Sequence, residues 1–364
     1  MDSFHICRCC LAVCRLLLIS AVSGIIAIPF AVLEATSPAR ADEQFQWDGG
    51  RFSAEEAVQI FGTQDEEITM DQARAYMLEL VNKDRAAEKL QPLTLDDYAT
   101  KAAQWQADDM ALNRYISHWN TEGMTPSMRY TGGGGNDGIG ENVTYFECGV
   151  KIFLTRKVVE FMEKQFMGSE GHRENLLRPE HNKLGVGIGF ALFPDGSCVF
   201  TCDQTFVDDY GQMDSLPQSV KLDTPLSISG ALDTERVSLR YVGLGWSPFP
   251  QKLTRKILNA NLQAGEDPGS YNLHAPKGKD AKNGAVPIVS DVEWDAASGK
   301  YSLSIDLAKP LENTPMPPDG GGPGTPGVYF VFVWATLKPD LIPSDWPNRD
   351  DYYFIAGVWT LGGV

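Results

Sequence analysis

The period of the apolar residues changes once along this chain. Up to about residue 170 they recur at helical spacing, and after Pro179 they recur at every second position. In "TMDQARAYMLELVNKDRAAEKL" (69–90), Thr69 and Gln72 make a capping-box pattern, and Ala73, Met77, Leu80 and Val81 share one helical face. A second helix is predicted after Pro92, with Thr94 as N-cap and Tyr98, Ala102, Trp105 and Leu112 along one face, ending in "YISHWN". Residues 121–140, with glycine at each position from 132 to 135, read as a loop. Helical spacing returns at Val158, Phe161, Met162, Gln165 and Phe166 and stops near "GSEGHRENLL". "KLGVGIGFALF" and "SCVFTCDQTFV" then alternate as a hairpin around "PDGS". The order of helices followed by strands predicts an α+β arrangement.

Beyond "DDYGQMDSLPQ" (208–218), which reads as a linker, only short strands are predicted: 236–242, 301–307, 328–335 and 352–359. Turn signals such as "SGK" and "TPMPPDGGGPGTPG" separate them. The expected organisation is a lead-in (42–67), an α+β domain (68–210), a linker (211–219) and an all-β, sandwich-like domain (220–364). A length of 364 residues suits two cores better than one. The aromatic residues of the last strands are expected in the core of the sandwich rather than on a carbohydrate-binding face.

Residues 1–41 carry Arg8 and Arg15, then an apolar run at 16–32, then Ala39-x-Ala41, the pattern of a cleaved secretory leader. The protein is therefore expected to be secreted or periplasmic, touching a membrane only through that leader if it stays uncleaved. A net charge of −17 with no Lys/Arg-rich run excludes a nucleic-acid partner. Of seven cysteines, four lie in the leader; Cys198 and Cys202 are too far apart along one strand to bridge, so any disulfide uses Cys148 with one of them.

Past the leader the histidines are His118, His172, His181 and His274. His118 in "SHWN" and His172 in "GSEGHRENLL" sit at predicted helix ends, and "GIGENV" places Glu141 after the glycine run. Two imidazoles and a carboxylate suffice to hold Zn²⁺ or a similar divalent ion. Alternatively, the carboxylate holds one imidazole N–H and the second ring nitrogen serves as a base. Histidines so placed also occur simply as satisfied helix-end residues. His181 is expected to meet solvent or backbone, and Asp208 and Asp209 to belong to the solvated linker. The glycine run lacks the Lys-Ser/Thr of a phosphate loop, and no G-x-S-x-G element is present.

Five markers occur in a fixed order: Asn82 and Arg85 in the first helix, "SH", "GEN", "GHRENLL" and "GVG". In this order they resemble the CAP superfamily of SCP-like domains, its bacterial branch above all, over residues 70–207. The resemblance implies an α-β-α sandwich with a His, Glu, Glu, His cleft able to bind a divalent cation, and it carries over to His118, Glu141 and His172. The position of the second Glu is occupied by Ser169, three residues after Phe166, and neither Glu163 nor Glu170 fits the spacing. Asn142 is expected to secure backbone by side-chain hydrogen bonds. The implied function is a non-catalytic binding module, with a lipid, a sterol or a cell-envelope component as partner. A metal-dependent hydrolase with Glu141 as general base is the alternative.

Overall fold

The computed structural model describes residues 50–62, 66–260, 271–277, 282–283, 286–308, 324–346 and 352–364. The predicted leader, residues 42–49 and 63–65 of the lead-in and most of the Pro/Gly stretch at 314–327 lie outside the described residues.

Seven α-helices occur among the described residues: α1 (Ala54–Phe61), α2 (Met70–Ala87), α3 (Asp97–Asn113), α4 (Pro126–Gly132), α5 (Arg156–Gly168), α6 (Glu170–Leu176) and α7 (Arg255–Ala260). The capping box predicted for α2 is present, with Thr69 Oγ1 accepting from Gln72 N at 3.2 Å and Gln72 Oε1 from Thr69 N at 2.8 Å. The cap of α3 is Asp96, not the predicted Thr94, which pairs with Lys183 in a short strand. Helix α3 also ends sooner than predicted. Arg114 adopts φ 54° as its C-cap, and His118 lies in the loop beyond. The stretch 121–140 is not all loop. Thr125 accepts from Met128 N and Pro126 occupies the first turn, so α4 forms inside it.

Strands β1 (Arg51–Phe52), β2 (Thr94–Leu95), β3 (Gly138–Cys148), β4 (Lys183–Leu192) and β5 (Cys198–Asp208) make a sheet of order β1-β3-β5-β4-β2. Strands β4 and β5 are the predicted hairpin. The loop predicted over 121–140 ends early: Gly138, Ile139 and Gly140 already pair with Asp208, Val207 and Phe206 in the β3–β5 ladder, where Glu141 pairs with Thr205. Along the central strand β5 every residue is buried, and its alternate side chains enter two different layers. Cys198, Phe200, Cys202 and Phe206 join the core formed with α1, α2, α5 and α6, while Thr201 and Val207 face α3.

Gly185, Gly187 and Gly189 of β4 set the distance to α3. A Cβ on any of them would come within 2.2 Å of backbone at Ala99, Ala103 or Ala107, positions one helical turn apart. Helix and strand therefore touch backbone to backbone, which only glycine against alanine permits.

The remaining strands are β6 (Gly211–Met213), β7 (Ser219–Val220), β8 (Leu226–Leu232), β9 (Val237–Ser247), β10 (Tyr271–Pro276), β11 (Lys282–Asn283), β12 (Val286–Asp295), β13 (Lys300–Ile305), β14 (Gly327–Leu337) and β15 (Tyr353–Gly363). They form a sheet of order β6-β8-β13-β12-β10-β9-β14-β15-β7, with β11 on β12. Apolar residues of β8 and β13 share one core with those of β9, β14 and β15, so the sheet curls over itself, as a sandwich does. Tyr329 is buried in this core, as expected, whereas Phe330 and Phe332 are buried at the seam with the first sheet. The expected linker supplies β6 and β7 to this sheet.

The two sheets meet. Val328, Phe330, Phe332 and Val358 pack with Ala99, Ala102, Met128, Tyr130 and Val207. Asp137 forms an isolated antiparallel bridge to Gly357, and Val358 N donates to Asn136 O at 3.1 Å.

Candidate functional site

The loop that carries His118 is fixed from both sides. Gln106, wholly buried on α3, donates through Nε2 to the carbonyls of Ser117 (2.6 Å) and Trp119 (3.2 Å). The Asp109 carboxylate accepts from Tyr115 Oη at 2.6 Å and from Thr121 N at 2.8 Å. Arg129 of α4 donates through Nη1 to the carbonyls of His118 (2.9 Å) and Met124 (3.0 Å). Three side chains thus tie down the backbone that presents one imidazole.

Glu141 meets that imidazole from β3. His118 Nδ1 lies 2.8 Å from Glu141 Oε1, and Arg129 Nη2 donates to Glu141 Oε2. Glu141 and Arg129 are buried, and His118 is partly open to solvent. Sequence reasoning found His118 and Glu141, but not Arg129. Its signal was the "TP" that opens α4, a helix start with a Pro in its first turn.

A second carboxyl stands beside Glu141. Asp203 of β5 is on the same face of the sheet, with Oδ2 4.0 Å from Arg129 Nη2 and Oδ1 accepting from Thr205 Oγ1 at 2.8 Å. Complete burial, and then the charge of Glu141, push the Asp203 carboxyl well above the usual carboxylate range. Two carboxyl groups thus converge on Arg129, and at Asp203 the surroundings favour the neutral form. The available sequence signal was a charge inside the apolar run "SCVFTCDQTFV".

Asn142, the next residue, points to the other face. Its Nδ2 donates to the carbonyl of His172 at 3.0 Å, and its Oδ1 accepts from Asn175 Nδ2 at 3.0 Å. That fastens α6 to β3, the role expected of Asn142. It is 1 % exposed. His172 is half-buried on α6, its ring edge-on to Phe166 at 5.4 Å. So the structure pairs His118 with Glu141 directly, and attaches the His172 backbone to Glu141's neighbour.

Of the two glutamates considered for the fourth position, Glu170 is exposed in the first turn of α6. Glu163 is turned into the α2/α5 layer, where Gln204 Nε2 donates to its Oε2 at 2.6 Å, and burial raises its pKa to about 8.

His181 departs from its expected place at the surface. It is buried and stacked on Phe206, with Nδ1 2.6 Å from Asp208 Oδ1. Asp208 ends β5 rather than opening a solvated linker. Glu180, His181 and Asp208 offer ligand atoms all within 4.8 Å of one another, a group that could hold a metal ion. Burial lowers the pKa of His181 to about 3 and raises those of Glu180 and Asp208. Tyr352 donates to Glu180 at 2.5 Å, Arg178 lies 3.8 Å from it, and Arg85 donates to the carbonyls of Leu176, Arg178 and His181. His274 lies apart, on β10, with Nδ1 2.7 Å from Ser290 Oγ. A surface groove of about 550 Å³ also lies elsewhere, over β8, β12 and β13; none of the predicted site residues lines it.

Among the described residues no helix is long and apolar enough to cross a membrane. Residues 78–204 match the profile of the CAP, or cysteine-rich secretory protein, family. The chain is 32% identical over 112 residues to the uncharacterized protein YkwD of Bacillus subtilis, spanning 30% of this chain and 40% of that relative's length. A solved extracellular protein with an SCP domain from Bacillus anthracis is similar at 24% identity over 40% of this chain and 45% of its own, with a TM-score of 0.31. A solved outer surface protein of Borrelia burgdorferi is similar at 19% identity over 40% of this chain and 98% of its own, also with a TM-score of 0.31. The family profile falls on the span that contains His118, Glu141, Asn142 and His172, so residues 78–204 of this chain are a CAP domain of the bacterial type.

Proposed function

We propose that the protein is a secreted or periplasmic, non-catalytic binding module whose His118/Glu141/His172 cleft takes a divalent ion, Zn²⁺. Its partner would be a small hydrophobic ligand such as a lipid or sterol, or a component of the cell envelope. The observation that carries this reading is the 2.8 Å contact between His118 Nδ1 and Glu141 Oε1. A carboxylate on one ring nitrogen fixes the tautomer and makes the other, Nε2, the atom that meets a metal. Imidazole donors suit zinc. Glu141 fits as the group that orients His118 rather than as a direct ligand, because its second oxygen accepts from Arg129.

The same bond argues against the hydrolase alternative. A general base must reach a water, and both Glu141 oxygens are already engaged, one with His118 and one with Arg129. Binding is the use of the cleft that its charges favour.

The test is a calorimetric titration of Zn²⁺ into the purified protein, with the His118→Ala/His172→Ala double variant and His181→Gln beside it. The expected result is binding that disappears in the double variant and persists in His181→Gln. Binding unchanged in the double variant, or lost only in His181→Gln, would move the ion to the Glu180/His181/Asp208 group and sink the cleft reading.

A further inference from the structure

Cys148, Cys198 and Cys202 are buried, free thiols. Cys148 ends β3, Cys198 opens β5, and the two are direct partners in the antiparallel register. Residues so opposed have Cα atoms ~4.5–5.5 Å apart, inside the ~4.4–6.8 Å that a disulfide spans. Cys202 faces Thr144 on one side and Ile188 on the other. It lies four residues from Cys198 on the same strand, ~13 Å at ~3.3 Å per residue. Register alone therefore chooses between the two bridges that the sequence leaves open.

We propose that under oxidising conditions Cys148 and Cys198 close a disulfide that staples β3 to β5 at the end of the ladder remote from Glu141, while Cys202 stays a thiol. The oxidant is a disulfide of the exchange class, either the disulfide of a small thiol or the active-site disulfide of a thiol oxidoreductase.

In the folded chain Cys198 Sγ also meets backbone. Ile152 N donates to Cys198 Sγ at 3.4 Å, and Cys198 Sγ donates to Val150 O at 3.3 Å. Either cysteine can open the exchange; with Cys198 first, its proton is lost to solvent. The Cys198 thiolate attacks the donor disulfide and forms a mixed disulfide, and one donor thiolate departs. Cys148, losing its proton, then attacks Cys198 Sγ and expels the second donor thiolate. Two protons pass from the cysteines to the donor, which is reduced by two electrons as the pair is oxidised. Both side chains are wholly buried in the folded chain, so the exchange belongs to folding, before this end of the ladder closes.

The occurrence of the bridge in a cell rests on the extracytoplasmic reading above, whereas its chemistry does not, and the experiment isolates the chemistry. The reduced, urea-unfolded full chain is refolded in a mixture of reduced and oxidised glutathione, quenched with iodoacetamide and digested with trypsin without reductant. The expected product is the peptide 130–151 joined to 184–221, with Cys202 alkylated. In a Cys148→Ser variant that folds by circular dichroism, this product is absent and Cys198 is alkylated. Alkylation of Cys148, Cys198 and Cys202 alike in the refolded wild-type chain, or a linkage through Cys202, would overturn the proposal and leave the zinc reading untouched. A Cys148→Ala/Cys198→Ala variant serves where the serine variant fails to fold, and the linked product must vanish in it as well.

Discussion

Glu163 shows how much of this site's character comes from where a carboxyl is placed. Its side chain faces Gln204, and Gln204 faces Asn142, so it sits behind the sheet from Glu141 rather than beside it. Burial raises its pKa from 4.5 to about 8 in the folded chain. The unfolded chain therefore releases this proton first as pH rises, and the stability due to the neutral group, complete below about pH 4.5, is lost progressively up to about pH 8. Glu163→Gln keeps the hydrogen-bonding shape without that loss. Urea midpoints should be nearly equal for the two proteins at pH 5, and at pH 8 the variant should be more stable by ~2 kcal/mol or more; no gain at pH 8 would mean that Glu163 is already ionised in the fold. At this scale the sequence disclosed residues that belong to ordered motifs: His118, Glu141 and Asn142. It did not disclose Asp203, Arg129 or the true place of His181. A buried charge is legible only through its partner, and these partners come from distant segments.

Single elements were legible where their period was clean. Helix α2 and the β4–β5 hairpin stand close to where the spacing puts them. Strand β3 escaped, because most of its residues from 142 onward are buried on both faces, which removes the polar/apolar alternation that marks a half-exposed strand. The glycines of β4 fit an alternating strand, and their spatial role is set by α3, against whose backbone they lie. Gly187→Ala would drive a Cβ to 2.2 Å from Ala103 backbone, so helix and strand must separate. The expected cost is about 3 kcal/mol, seen as a lower melting temperature. Gly168→Ala, at the end of α5 with nothing within 4 Å of its Cβ, should instead gain ~0.5–1 kcal/mol. Equal effects of the two substitutions would refute direct backbone contact between α3 and β4.

For the whole molecule, residues Asp48–Val364 cluster as one unit although the sequence reads as two domains. The reason is an apolar face common to both sheets. Met128, Tyr130 and Val207 lie against Phe330, Phe332 and Val358, and Thr131 Oγ1 meets Thr360 Oγ1 at 2.5 Å. A linker-like composition at 208–218 reports on local polarity and says nothing about contacts made elsewhere. Residues 48–210 produced alone should expose this face, bind a hydrophobic dye and self-associate, whereas the full chain should melt in one transition. A monomeric, dye-silent fragment would show that the face is not needed. The seam also has a consequence in time. Thr131 and Thr360 are 229 positions apart, and Asn136, at the mouth of the strand that carries Glu141, is paired with Val358. Contacts of such separation form slowly. A chain emerging from its N-terminus can complete most of the first sheet early, yet Asn136 and Asp137, just ahead of the strand that carries Glu141, gain their backbone partners only once β15 has been made and docked.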